Sequence, residues 1–140
     1  MLLLLTLGLS FSSIGKKGLQ EGQIEVVMRM VGHKVLLMQG DSLSRVLPIK
    51  KEGNRYQIEF EAEFSFVPAS LNPLIDSVIA SSGLSENYLV EVESCDSNQV
   101  VYSYERSDSS KNGMVPCGPR PQPQGCYSIY VSFFDLASKN

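Results

Sequence analysis

The sequence predicts an α+β fold, in which a five-stranded antiparallel sheet carries a leading helix and one short covering helix. The first observation is a long stretch, residues 44–66, in which apolar and polar side chains alternate as they do along a half-buried strand. The second is a pair of segments with helical apolar spacing, one before this stretch and one after it. The third is a set of shorter alternating segments in the second half of the chain. A chain of 140 residues has room for one domain of ordinary size, which we place at residues 22–136.

The composition is that of a globular protein, with 43% apolar and 19% charged residues. The net charge of −3 argues against a nucleic-acid partner and against an anionic-membrane surface.

Residues 1–15 predict an export signal or the remnant of a membrane anchor, because they carry a run of leucines and a tail of small residues. The run is too short to span a bilayer, which takes roughly 20 apolar residues. No positively charged segment precedes it, which leaves two interpretations: the natural start differs from Met1, or export is inefficient. A buried helix or strand is the alternative, and residues 16–23 are interpreted as a linker or a frayed helix start.

A leading helix is predicted over residues 23–39. Apolar side chains recur near helical spacing at Val27, Val31, Val35 and Met38. Gly40 then supplies a helix stop. Gly32, in the middle of the helix, costs about 1 kcal/mol relative to alanine, and the β-branched residues near Val27 leave a strand as the alternative.

The alternating stretch predicts a hairpin whose second strand turns one row of side chains inward: Tyr56, Ile58, Phe60, Ala62, Phe64 and Phe66. A connection of two or four residues around Gly53 would place Leu47 and Ile49 on that same face. Lys50 and Arg45 would then meet the glutamates of the other face.

The covering helix is predicted to start at Asn72, as N-cap, with Pro73 at the first helical position. It would run to Gly83 and lie across the aromatic face of the sheet. Its apolar stripe consists of Leu71, Leu74, Ile75, Val78 and Ile79.

Three more strands complete the predicted sheet. Alternation predicts the third strand over residues 88–93, the fourth over residues 100–105 and the fifth over residues 127–134. Residues 96–98 are typical of a turn. Residues 114–125 form a proline-rich arm that cannot pair as a central strand.

Three cysteines suit an oxidising compartment. We favour a Cys117–Cys126 disulfide, because a stiff Pro/Gly segment holds these two close, and Cys95–Cys117 is the competing pair. A metal site is not expected, because the cysteine spacing is wrong and the single histidine, His33, lies far away in sequence.

No catalytic motif is present in the sequence, and no catalytic residue is proposed. The row of Glu59, Glu61 and Glu63 is typical of a solubilising edge or an ion-pair ladder. Ligand contacts are predicted instead, between the sheet and the covering helix or its loops, at Arg45, Arg55, Tyr102 and Tyr104.

The order of helices and strands matches the PAS-like arrangement of extracytoplasmic sensing domains, an analogy at the level of fold. Three segments carry a more specific likeness: GHKVLLMQGDSLSRVLPIKKEGNRYQIEFEAEFSF, NYLVEVESCDSNQVVYSYE and PQGCYSIYVSFFD. Over most of residues 24–134, the chain resembles the periplasmic input segment of bacterial membrane-bound sensor histidine kinases.

This resemblance implies signal input from outside the cytoplasm, with a second membrane helix and a kinase core downstream. We expect as partners a small-molecule or envelope-protein signal and a second copy of the chain, with attachment to the membrane through the flanking segments. No cofactor is expected. Residues 1–140 contain no phosphoacceptor helix and no ATP-binding module. We therefore expect no kinase activity here, and an isolated input domain or a truncated product.

The alternative is a secreted or surface-tethered interaction module that works through strand edges or through the proline-rich arm at 116–125. A hydrolase is the third function considered for this chain.

Overall fold

The computed structural model describes residues 14–107 and 120–134. It is α+β, with two helices, a five-stranded antiparallel sheet and a small two-stranded sheet, consistent with the predicted PAS-like arrangement. The elements are α1 (Ile14–Met38), β1 (Lys50–Glu52), β2 (Arg55–Ile58), β3 (Phe64–Phe66), α2 (Pro68–Ser82), β4 (Tyr88–Ser94), β5 (Val100–Arg106), β6 (Gln122–Gly125) and β7 (Tyr127–Phe133).

The large sheet has the strand order β1-β2-β7-β4-β5, and every neighbouring pair is antiparallel. The last of the described strands, β7, is therefore the central one. It pairs with β2 on one side and with β4 on the other. Strands β3 and β6 form the separate two-stranded sheet.

The predicted long strand is split, although its burial pattern is the expected one. Strand β2 ends at Ile58, Phe60 makes an isolated bridge to Val46, and β3 belongs to the small sheet. The inward row is nonetheless buried or partly buried throughout: Tyr56, Ile58, Phe60, Ala62, Phe64 and Phe66. The prediction that these rings point inward is confirmed, and the prediction of one continuous strand is wrong.

The hairpin closes through a two-residue turn, as the even-loop argument predicts. Glu52 lies opposite Arg55, and the turn residue Gly53 has a φ of +63°. The pairing slips by one residue further on, because the bridge to Phe60 is made by Val46. Leu47, predicted to face the core, is consequently 38% exposed.

Helix α1 starts at Ile14, so residues 16–23 belong to the helix and form no linker. The predicted stripe is confirmed: Val27, Val31 and Val35 are buried, and Met38 packs against the core. The helix ends before Gly40, whose φ is +76°, and the Asp41 N–H donates to the Leu36 carbonyl at 2.9 Å.

Helix α2 starts at Pro68, with Val67 as its N-cap. The predicted start at Asn72 is therefore wrong, and Pro73 lies inside the helix. Proline is tolerated at the first helical position, which Pro68 takes here. The predicted stripe is confirmed in full: Leu71, Ile75 and Ile79 are buried, and Leu74 and Val78 pack against the core.

One hydrophobic core joins the two helices to both sheets. Helix α1 packs against α2 and β2, and α2 reaches Tyr88 of β4 and Tyr104 of β5 through Asp76. Among the described residues, neither helix has the length and apolar character that a bilayer crossing requires.

The disulfide joins Cys95 to Cys126, with their Cα atoms 5.3 Å apart. The favoured Cys117–Cys126 pairing is therefore wrong, and so is its competitor; Cys117 lies outside the described residues. The reason is the strand order. Ser94 of β4 lies opposite Tyr127 of β7, so the next residues outward, Cys95 and Cys126, lie side by side.

The described end of the proline-rich arm includes a short strand that pairs with β3. Strand β6 (Gln122–Gly125) lies beside β3, and the Tyr127 hydroxyl donates to the Pro123 carbonyl. A two-stranded sheet contains no central strand, so the arm keeps to the edge role that its prolines allow.

Candidate functional site

The structure distributes the four predicted ligand contacts over three places. Arg45 lies in the segment between α1 and β1, Arg55 lies on the sheet face opposite the core, and Tyr102 and Tyr104 lie beneath α2. They do not form one site. Ligand binding by each of them stays a prediction.

Arg55 connects three strands on the outer face of the sheet. Its guanidinium lies 2.9 Å from the Glu93 carboxylate and 3.6 Å from that of Glu91, both on β4. Its Cζ atom lies 3.7 Å from the centre of the Tyr130 ring of β7. A shallow cavity of about 300 Å³ adjoins this cluster. Because the planar charge is already paired and stacked, Arg55 is best suited to hold β2, β7 and β4 together.

Tyr102 and Tyr104 serve as anchors for α2. The Tyr102 hydroxyl accepts a hydrogen bond from the Asn72 amide at 2.7 Å, and the Tyr104 hydroxyl donates to the Asp76 carboxylate at 3.0 Å. Tyr88 also donates to this carboxylate.

Arg106 lies 3.0 Å from the second oxygen of Asp76. Burial first, and then the Asp76 charge, raises the pKa of Tyr104; burial, with the hydrogen bond to Asp76, raises that of Tyr88. Both phenols are therefore neutral donors, aimed at the helix rather than at solvent.

The fourth predicted residue, Arg45, lies in an open groove, which we call the α1 groove. Its volume is about 550 Å³, within the range of small-molecule sites. Helix α1 forms one wall and the segment that follows it forms the other. The lining residues are Arg29, His33, Ser44, Arg45, Val46, Leu47 and Pro48.

The wall contributed by α1 presents Arg29 and His33. These residues are four apart in the helix, so their side chains lie on the same face, one turn from each other. Both are exposed and lie away from the buried stripe of α1.

The opposite wall is held in place by hydrogen bonds at both ends. The Asp41 carboxylate accepts from the Leu43 N–H at 3.0 Å and from the Ser44 N–H at 2.9 Å. Hydrogen bonds from Ser44, and then from Leu43, hold the pKa of Asp41 below its usual value. Further along, the Leu47 N–H donates to the Glu59 carbonyl at 2.9 Å. The segment is thus fixed to the sheet while its outer side faces the groove.

Among the residues that the structure describes, the α1 groove is lined by two arginines and by no acidic side chain. Within the described ranges, 14–107 and 120–134, neither Arg29 nor Arg45 takes part in an ion pair. Four other cations are paired with carboxylates: Lys50, Lys51, Arg55 and Arg106. Lys34 and Arg120 are also exposed without an ion pair in these ranges, but neither lines the groove. In a chain of net charge −3, the α1 groove is therefore a place where two arginines without an ion pair line the same cavity.

Sequence reasoning found Arg45 and missed Arg29. The four-residue spacing of Arg29 and His33 was a usable signal, but it does not show which segment lies opposite. That placement depends on the Val46–Phe60 bridge, a contact between residues that no local pattern connects.

The groove is not built as a metal centre. No group of three or more histidine, cysteine, aspartate or glutamate side chains converges anywhere in the described part of the chain. In comparisons with known proteins, no family model, no curated protein and no solved structure matches this chain.

Proposed function

We propose that this chain is an extracytoplasmic ligand-binding sensor domain, the input region of a membrane-bound two-component histidine kinase, with no kinase activity of its own. The observation that carries the proposal is the α1 groove, because one of its walls belongs to the leading helix and the other to a segment fixed to the sheet. A ligand in this groove would contact both walls at once. Binding would therefore favour one position of α1 over others.

Val46 gives this mechanism a physical connection. The same side chain lines the α1 groove and lies against α1 from the other side, where a Cβ atom on Gly32 would approach its methyl groups to within 3 Å. Helix α1 cannot slide past the segment without disturbing that contact. A ligand-induced change at residues 44–48 would accordingly be passed to the leading helix.

Two further features support the location and the signalling role. The Cys95–Cys126 disulfide is typical of proteins that fold in an oxidising compartment. The likeness of three sequence segments to sensor-kinase input regions supports the signalling role.

Ligand binding is tested by thermal shift of the purified chain against a library of metabolites and peptides of every charge class. We expect at least one class to raise the melting temperature, because a ligand that binds the folded state stabilises it. A library without effect, together with an absence of dimerisation and of partner binding, would contradict the proposal.

Location is tested separately by fusing alkaline phosphatase, which needs disulfides for activity, after Asn140. Activity in intact bacteria, lost when residues 2–13 are deleted, is the expected result. Equal activity with and without these residues would contradict an export role for them.

The second candidate is a secreted or surface-tethered interaction module. It is favoured by the exposure of Pro121, Pro123 and Gln124 on the described end of the proline-rich arm. Pull-down from an envelope fraction by the wild-type chain and by the variant Pro121→Ala/Pro123→Ala/Gln124→Ala separates the two candidates. A small-molecule sensor keeps its ligand in this variant, whereas the interaction module loses its partner.

A further inference from the structure

We propose that the α1 groove binds a small organic anion, with its phosphate or carboxylate group between Arg29 and Arg45 and its hydrocarbon part against Leu47 and Pro48. The inference rests on the proposed sensor function and adds the chemical class of the ligand.

The charge of the ligand follows from the unpaired arginines. A guanidinium is always charged near neutral pH and matches the paired oxygens of carboxylates and phosphates. Among the described residues, the structure gives Arg29 and Arg45 no carboxylate, although it pairs four other cations. An anion in the groove would receive charge-assisted hydrogen bonds from both walls.

His33 adds a polar ring beside Arg29. In either protonation state its imidazole carries at least one N–H donor, so it can contribute a further hydrogen bond to an anionic group. The groove then offers three polar side chains from two separate walls, which fixes the orientation of a ligand better than a single arginine does.

The organic character of the ligand follows from the other lining residues. Val46, Leu47 and Pro48 form an apolar strip, and Leu47 is 38% exposed. Covering that strip with hydrocarbon removes apolar surface from water, which inorganic phosphate cannot do. A groove of about 550 Å³ also leaves room beyond a single phosphate group.

Glu61 is an acidic residue that makes a hydrogen bond with Arg45, one of the residues that line the α1 groove. Its carboxylate accepts the backbone N–H of Arg45 at 3.0 Å, so it bonds to the main chain and not to the guanidinium. Replacing it by glutamine keeps an acceptor for that N–H and removes a negative charge near the groove. Glu61→Gln should therefore tighten anion binding.

The test is isothermal titration of the purified chain at constant ionic strength with four probes: phenyl phosphate, 3-phenylpropionate, inorganic phosphate and benzyl alcohol. We expect phenyl phosphate or 3-phenylpropionate to bind more tightly than inorganic phosphate, and benzyl alcohol not to bind. The order of the first two shows whether the groove prefers phosphate or carboxylate.

The variant Arg29→Gln/Arg45→Gln should weaken binding of the better probe at least about tenfold, because two charge-assisted contacts are lost. The matched control is Lys34→Gln/Arg120→Gln, which removes the same charge at two exposed positions outside the groove. This control should bind within about twofold of the wild-type chain. Melting temperatures of both variants should stay close to the wild-type value, because all four side chains are exposed.

Equal weakening in both double variants would mean that net charge alone attracts the probe, which would overturn the inference. An absence of binding by both organic anions would also overturn it. If the anions fail while neutral or cationic library compounds, or a protein partner, bind the chain, the ligand class is wrong and the proposed sensor function stands. If nothing binds, both fail.

Discussion

Gly32 shows how one missing side chain sets the distance between α1 and the sheet. A Cβ atom at this position would lie 2.8 Å and 2.9 Å from the two methyl groups of Val46 and 3.0 Å from a methyl group of Ile58. Those distances are shorter than van der Waals contact, and both neighbours are stiff β-branched residues. Glycine is therefore required here for close approach, which outweighs its low helix propensity.

Gly32→Ala should destabilise the protein by about 1–3 kcal/mol, because overpacking outweighs the gain in helix propensity. Gly22→Ala, in the same helix with no atom near the added methyl, should stabilise by up to about 1 kcal/mol. Urea denaturation of both variants measures the two effects. Stabilisation by both substitutions would show that α1 does not lie against Val46.

Burial of Tyr104 predicts how the free energy of unfolding changes at alkaline pH. Burial raises its pKa, so above about pH 10 the unfolded chain releases a phenolic proton that the folded chain retains. Its contribution is fully present below pH 10 and is lost as the pH rises above that value. The loss is about 1.4 kcal/mol per pH unit for each retained proton.

Tyr104→Phe should accordingly flatten the fall of unfolding free energy between pH 10 and pH 11. Tyr130→Phe, at a half-buried position on the outer face, should flatten it less. Denaturation curves across this pH range give the comparison. An unchanged slope in Tyr104→Phe would mean that this hydroxyl is not buried against Asp76.

At the scale of elements, the disulfide connects the ends of β4 and β7, which are neighbours in the sheet but 31 residues apart in the chain. Cross-linking a loop of this length stabilises a protein by about 3–4 kcal/mol in the chain-entropy model.

Cys95→Ala/Cys126→Ala should lower the free energy of unfolding by that amount, read from urea denaturation. Cys117→Ser serves as the control, because the bond joins the other two cysteines. Peptide mapping of this variant should still recover Cys95 linked to Cys126, whereas free thiols at both positions would contradict the pairing.

The elements also show which parts of the architecture local patterns can predict. The burial of the row that includes Tyr56 and Phe60 follows from alternation, and the end of α1 follows from Gly40. The predicted start of α2 is wrong because Asn72 and Pro73 imitate a helix start, while Pro68 takes the first helical position five residues before Pro73. The predicted disulfide is wrong because the observed pairing depends on the position of β7 between β2 and β4.

In the candidate site too, some features follow from local sequence patterns and others depend on contacts between distant residues. The sequence offers Arg45 as a cation near the predicted hairpin. Arg29 shares a helix face with His33, but the sequence does not show which segment lies opposite that face. The α1 groove exists because the Val46–Phe60 bridge places residues 44–48 beside α1. Tyr102 and Tyr104 are of a residue type that is common in ligand sites, yet their hydroxyls form hydrogen bonds with Asn72 and Asp76 of α2.

At the scale of the whole molecule, one core includes residues from both helices and from both sheets. Cooperative, two-state unfolding is expected of a single domain of this size. No tryptophan is present, so tyrosine fluorescence reports on the sheet and far-ultraviolet circular dichroism reports on the helices.

The two signals should give coincident urea transitions. The variant Asp76→Asn, which weakens the attachment of α2 to β4 and β5, should move both transitions together to lower urea. Transitions that separate in the wild-type chain would show that the helical layer unfolds independently of the sheet.

The central position of β7 has a consequence for synthesis. While residues 127–133 are still inside the ribosome, β2 and β4 have no common neighbour, and the sheet exists only as two unconnected hairpins, β1 with β2 and β4 with β5. A nascent chain of this topology stays unable to complete its sheet until its final strand emerges. Such a delay would leave one edge of β2 and one edge of β4 without a strand partner until residues 127–133 are released.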